Sequence, residues 1–251
     1  MLKPALAILS VAALAGGLGA QTTRPAPAAS QGAIPSAAVA AALADPARAD
    51  QAGDDERRKA AAVIAFAGVE PGDVVIDFLP GAGYWTRIFS PLVGSAGHVY
   101  ALWPSIASKY AGRQLPALQG RGLPNVTAEV QATPFPAVPR PADVFWTAQN
   151  YHDIPAAGVA QFNAAVFKAL KPGGTYLVID HADARGALPS AEGDKHRIDP
   201  AVVRSQVQSA GFRFVGQSPA LANPADDHSK PVFDPSIRGR TDQFVYKFRK
   251  P

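Results

Sequence analysis

Two groups of residues in this 251-residue sequence have the types and spacing to do chemistry. The first is Asp77-Phe78-Leu79-Pro80-Gly81-Ala82-Gly83-Tyr84-Trp85-Thr86, where an acid closes an apolar run and a glycine-rich turn opens a helical pattern. Small residues in such a turn let the backbone approach a ligand closely, and the helix N-terminus offers unpaired N–H groups to it. A tight turn without a ligand is the simpler alternative. The second group is four of the five histidines, His152, His181, His196 and His228, each with an acid nearby: Asp153, Asp180, Asp194 and Asp227. A carboxylate beside an imidazole fixes its tautomer and raises its basicity, which suits a general base and equally suits a metal ligand. Capping a helix or satisfying loop backbone is the plainer role for any one of them. The pattern assigns none of them as a metal ligand.

The elements that must position these residues alternate. Val74-Val75-Ile76-Asp77-Phe78 is a nearly continuous apolar run, the mark of a strand buried on both faces. Further strands are expected at 97–102, 125–130, 143–147, 175–180 and 212–215, with helices at 84–93, 159–170 and 199–210. Lys171-Pro172-Gly173-Gly174 terminates the second of these helices and Gly211 the third. Ahead of them, 37–43 forms a short helix, and 54–67 a longer one with Asp54 and Asp55 at its positive end. Residues 219–241 show no helical pattern, so the closing strand at 243–248 should run antiparallel, and its alternation suits an edge. The fold class is a doubly wound, Rossmann-like α/β sheet, mostly parallel with an antiparallel last strand. The four histidines then fall in loops at the C-terminal edge of the sheet, where open α/β sheets bind ligands.

Composition narrows the function. There is no cysteine, which removes disulfides, thiolate metal sites, cysteine nucleophiles and a lipoprotein anchor. The net charge of +4 is not clustered. Its densest basic run, Arg57-Arg58-Lys59, follows Asp54-Asp55-Glu56 and reads as a solvated helix face, so no nucleic-acid partner is expected. Lys3, the apolar stretch 5–18 and the small Gly19-Ala20 form a secretory signal pattern, cut after Ala20 or Ala15, with no twin arginine and no stable membrane span after cleavage. The expected organisation is a signal peptide at 1–20, a Pro/Ala/Ser/Gln-rich linker at 21–35 and one domain at 36–251, in a periplasmic or secreted protein.

Residues 77–86 resemble motif I of the class I S-adenosylmethionine-dependent methyltransferases, and Ala169-Leu170-Lys171-Pro172-Gly173-Gly174-Thr175-Tyr176 matches the Leu-Lys-Pro-Gly-Gly turn of that superfamily. Asn150-Tyr151-His152-Asp153, Asp180-His181, His196-Arg197-Ile198-Asp199-Pro200 and Asn223-Pro224-Ala225-Asp226-Asp227-His228 resemble a group of exported bacterial predicted methyltransferases, over 36–251. The resemblance implies S-adenosylmethionine as cofactor, with Asp77, Gly81, Gly83 and Asn150 holding it, and methyl transfer to a small molecule. His152 is then the first candidate base and His181 the second. Two positions depart from the pattern. Leu79 stands at the first glycine of the motif, and Trp103 stands where an acid usually binds the ribose hydroxyls. Trp103 either stacks on the adenine or belongs to the core. These departures, with a cofactor made in the cytoplasm, favour an alternative: an exported Rossmann-like protein that has lost methyl transfer and binds another ligand or a metal through its His/Asp-rich edge. Nicotinamide chemistry is the weakest option, since Thr86 replaces the third glycine and the acid of the second strand is missing.

Overall fold

The computed structural model describes residues 36–187 and 195–251. The expected signal segment and linker, and Asp194, lie outside them. Thirteen principal elements follow in chain order: α1 (Ala37–Leu43), α2 (Ala60–Ala67), β1 (Val74–Phe78), α3 (Tyr84–Val93), β2 (His98–Trp103), α4 (Ser108–Gln119), β3 (Val126–Val130), β4 (Ala142–Ala148), α5 (Val159–Ala169), β5 (Leu170–His181), α6 (Pro200–Ser209), β6 (Arg213–Ser218) and β7 (Gln243–Arg249).

The strands form one seven-stranded sheet in the order β3-β2-β1-β4-β5-β7-β6. β1 to β5 run parallel to one another, and β7 runs antiparallel to both β5 and β6. This is the expected doubly wound architecture. The apolar strands account for it: all five residues of β1 are buried, because helices cover both faces of the sheet. Val39, Val63, Ile64, Ile88 and Phe89 of α1 to α3 pack with Val75, Val99 and Trp146 on one face. Phe162, Val166, Val203 and Val207 of α5 and α6 pack with Ile76, Phe145 and Tyr176 on the other. Burying each such side chain contributes about 1.5–3 kcal/mol before chain entropy is subtracted.

Four expectations are corrected. The helix expected at 54–67 begins only at Ala60, because Lys59 takes a left-handed φ of 47° and Asp55 is engaged by Arg48 and Tyr84, at 2.6 Å each, instead of capping a helix. β7 is not an edge strand: it is inserted between β5 and β6, with Phe244, Val245, Tyr246 and Phe248 buried. β5 starts at Leu170 rather than at Thr175. Leu170 pairs with Ala142 and Thr175 with Val144, so the Lys-Pro-Gly-Gly stretch is an irregularity within the strand. α4 was not expected, since Gly112 and Pro116 interrupt its pattern and only Ala111 and Leu118 are buried.

Candidate functional site

The turn after β1 is held in left-handed backbone: Leu79 has φ 56°, Gly81 φ 58° and Gly83 φ 77°. For Leu79 this conformation costs on the order of 1 kcal/mol or more, which a glycine there would avoid. The two glycines differ in what surrounds them. A Cβ on Gly81 would meet nothing within 4 Å, whereas one on Gly83 would lie 2.6 Å from Leu118 Cδ1 of α4. Gly83 is constrained by packing as well as by its positive φ, since a Cβ there would press on the end of the Leu118 side chain of α4. Asp77 is buried, and the Thr86 hydroxyl donates to its Oδ2 at 2.6 Å. Burial pushes the Asp77 carboxyl up to about 7, against the pull of the Thr86 hydroxyl and N–H and of the Arg58 charge. Asn150 ties the turn to the loop after β4, donating from Nδ2 to Ala148 O at 2.8 Å and more weakly to Phe78 O at 3.3 Å.

Beside the turn lies a pocket of about 270 Å³ that Gln51, Asp54, Arg58, Asp77, Gly81 and Asn150 help to line. Arg58 is not part of a solvated helix face. Its guanidinium lies 4.4 Å from the Tyr84 ring centroid, and burial lowers its pKa. Among the described residues, the buried Arg58 Nε and Gln51 Oε1 make no hydrogen bond, although Arg58 Nε lies 3.8 Å from Asp54 Oδ2 in an ion pair. A buried acceptor left without a hydrogen bond, as Gln51 Oε1 is, costs about 1–3 kcal/mol, and Arg58 Nε has only a long ion pair in place of one. A carboxylate and an ammonium on one small group would satisfy both, so the pocket fits the amino-acid end of S-adenosylmethionine.

A larger cavity of about 920 Å³ opens at the C-terminal ends of β1, β2, β4 and β5, and runs from Leu79 and Gly81 past Trp103 and Gln114 to His152 and His196. Trp103 backs its wall but is fully buried, and its Nε1 donates to Gln114 Oε1 at 3.3 Å. Of the two roles open to it, the core one describes its position, since no face of the indole is exposed for stacking. Gln114 on α4 is the polar group that takes its place on the wall. Leu79, Gln149 and His196, three of the five non-glycine residues with positive φ among the described residues, line this cavity. Such conformations concentrate where the surrounding structure enforces a site.

His152, Asp153, His181 and His196 line the far end. His152 is in the turn after β4, and its Nδ1 lies 2.8 Å from Oδ1 of Asp180 at the end of β5. A carboxylate only accepts, so Nδ1 carries the proton and Nε2 is the basic nitrogen. That Nε2 lies 3.2 Å from His196 Nδ1 and 3.4 Å from Asp153 Oδ1. His181 instead pairs with the Thr241 hydroxyl at 2.8 Å, and burial lowers its pKa to about 4, so it is neutral at pH 7. The pairing of each histidine with its sequence neighbour is thus only partly followed. Asp180 serves His152, and His228 pairs with Asp242 at 3.0 Å while Asp227 holds Ser229. His228 does not line the cavity.

This sheet order, with its reversed β7, is the class I S-adenosylmethionine-dependent methyltransferase fold. A SAM-dependent methyltransferase from Aquifex aeolicus superposes with a TM-score of 0.56 at 19% identity, covering 85% of this chain and 98% of that one. An arsenic(III) S-adenosylmethionine methyltransferase from Chlamydomonas reinhardtii gives 0.54 at 17%, covering 84% and 72%. The cyclase SpnF gives 0.55 at 17%, covering 83% and 86%, so the fold by itself does not name a reaction. In sequence, the chain is 30% identical over 160 residues to the ubiquinone/menaquinone biosynthesis C-methyltransferase UbiE of Marinomonas sp. (strain MWYL1), covering 62% of each. The same enzyme of Teredinibacter turnerae is 30% identical over 162 residues, covering 62% and 63%. The chain thus matches about three fifths of the length of these relatives. No protein-family model matches it.

Proposed function

We propose that the chain binds S-adenosylmethionine over the glycine-rich turn and transfers its methyl group to a small molecule at the histidine end. The observation that carries this reading is the single cavity of about 920 Å³ joining Gly81 to His152 and His196. Cofactor and acceptor must meet in one space for an in-line transfer, and this cavity, walled largely by apolar side chains, provides it. Asp77, Gly81 and Asn150 would hold the cofactor, with Arg58 and Gln51 at its amino-acid end. Bound there, it supplies an electrophilic methyl group. Phe135, Ile154, Phe162 and Phe233 give the acceptor an apolar wall, so an acceptor with an apolar body and one polar group fits. His152 would orient that polar group and take its proton at Nε2, and His181, kept neutral by burial, would help to position it. Calorimetric titration with S-adenosylhomocysteine tests the reading: micromolar binding is expected, and none at millimolar ligand would overturn it.

A second reading rests on Trp103. No acid stands at the end of β2, and the buried indole there accepts no hydrogen bond from a ribose. This favours a protein that keeps the fold and binds a different ligand at its histidine end, and the same titration separates the two. Export to the periplasm or beyond is proposed on the signal pattern of residues 3–20. Among the described residues, no helix is long and apolar enough to cross a membrane.

A further inference from the structure

We infer that His152, Asp153 and His196 form a binding site for a divalent first-row transition metal at the histidine end of the cavity. His152 Nε2, Asp153 Oδ1 and His196 Nδ1 form a triangle with sides of 3.2, 3.4 and 3.7 Å. Metal–ligand bonds of about 2.0–2.1 Å at tetrahedral angles separate neighbouring donors by about 3.3–3.4 Å. The three atoms therefore already stand at the spacing of three corners around one ion.

The support behind His152 is of the kind a metal ligand needs. Its Nδ1 proton is held by the fully buried Asp180, at 2.8 Å, and this directs the Nε2 lone pair at the other two donors. Carboxylate–histidine pairs of this type fix the tautomer and orientation of a ligating imidazole. The His196 ring stands at 87° to that of His152 and packs edge-on against Phe233, with centroids 4.8 Å apart. Its backbone is held at φ 51°, an outlier for a non-glycine residue in a loop. Two imidazoles and one carboxylate select zinc-like ions over magnesium or calcium, which prefer all-oxygen shells. All three ligands line the cavity, so the remaining coordination positions face it and would take an oxygen, nitrogen or sulfur of a bound small molecule. With the ion bound, His152 acts on that molecule through it, and Nε2 serves as the base of the methyl-transfer reading only in the metal-free protein. The alternative is a metal-free Asp180–His152–His196 hydrogen-bonded chain.

The test uses the full chain, stripped with a chelator and titrated with zinc chloride against a competing fluorescent chelator. One equivalent should bind, with a dissociation constant on the order of a micromolar or tighter. His196→Ala and Asp153→Asn alter partly exposed side chains, and circular dichroism checks that both variants fold. Each should weaken binding at least tenfold. Asp180→Asn should weaken it about 10–100-fold. His98→Ala, at the opposite end of β2, should bind as the parent does. Absence of stoichiometric uptake, or uptake equal to the parent in both His196→Ala and Asp153→Asn, overturns the site. S-adenosylhomocysteine binding measured on the same samples reports on the methyl-transfer reading separately, so either idea can fail alone.

Discussion

Asp180 holds His152 by two hydrogen bonds: the His152 N–H donates to Oδ2 at 2.9 Å, and Nδ1 donates to Oδ1 at 2.8 Å. The N–H of His181 donates to the same Oδ1 at 2.8 Å, so one fully buried carboxylate satisfies three donors from the turn after β4 and the end of β5. Asp180→Ala leaves all three unpaired, and a loss of about 3 kcal/mol or more is expected. Asp180→Asn, which keeps the shape and one acceptor, should cost less. Urea unfolding reads both. A loss under about 1 kcal/mol for the alanine variant would show that water replaces the carboxylate without penalty.

Asp77 predicts a pH dependence. Burial raises its carboxyl to about 7, well above the ordinary value of 3.8. Below about pH 4 the group is neutral folded and unfolded, and it costs nothing. Between about pH 4 and 7 the folded chain retains a proton that the unfolded chain releases, so stability falls as pH rises. The full loss is on the order of 4 kcal/mol by pH 8. Asp77→Asn should remove that slope. The check is the unfolding free energy of parent and variant at pH 5 and pH 8. A difference between them that stays constant with pH would place the Asp77 carboxyl in its ordinary range.

Much of the architecture is legible in the residues because its strands are apolar runs between strong breakers. β1, α3 and α5 start and stop close to where their sequences say. What sequence hides is set by distance along the chain. Asp180 and His152 are 28 residues apart, and the imidazoles of His181 and His228 hydrogen-bond to Thr241 and Asp242 rather than to the acids beside them in sequence. Arg58 sits in a run of three acids followed by three bases that imitates a solvated helix, yet its half-buried side chain lines a pocket. Gln114 is invisible for another reason: Gly112 and Pro116 disguise α4, and a lone glutamine carries no signal until the helix sets it beside Trp103. The interior place of β7 depends on strand order, which alternation does not encode.

Gly81 and Gly83 should separate binding from folding. Gly83→Ala meets Leu118 at 2.6 Å as well as the penalty of φ 77°, and a loss of about 2–3 kcal/mol is expected. Gly81→Ala carries only the penalty of φ 58°, about 1 kcal/mol, because nothing lies within 4 Å of the new Cβ. S-adenosylhomocysteine binding should nevertheless weaken more in Gly81→Ala than in a Gly83→Ala/Leu118→Ala double variant, which relieves the overlap. Thermal melts and calorimetry on both decide it. Equal affinities would make Gly81 a structural turn residue.

Export is tested by sequencing the N-terminus of the protein purified from its native host. Cleavage after Ala20 leaves Gln21 first, and cleavage after Ala15 leaves Gly16. A mature chain that begins at Met1 and is recovered from the soluble cytoplasm would end the proposal.

The end of β2 offers the sharpest test of cofactor binding. Trp103 is fully buried, so Trp103→Asp would create a cavity and bury an unpaired charge, at a cost above about 3 kcal/mol. That variant reports on folding alone. Gln114 is the better probe, because its Oε1 accepts from Trp103 Nε1 at 3.3 Å and the residue lines the cavity. Gln114→Glu keeps an acceptor for the indole and places an acid close to where methyltransferases bind the ribose hydroxyls. If the cofactor lies there, S-adenosylhomocysteine should bind about tenfold to a hundredfold more tightly, the worth of a hydrogen bond to a charged group. Gln114→Ala should weaken it by up to about tenfold, the worth of a neutral hydrogen bond. Calorimetry on the three proteins gives the answer. Affinities that do not differ among parent, Gln114→Glu and Gln114→Ala would remove Gln114 from the cofactor site and leave the end of β2 without a ribose-binding group.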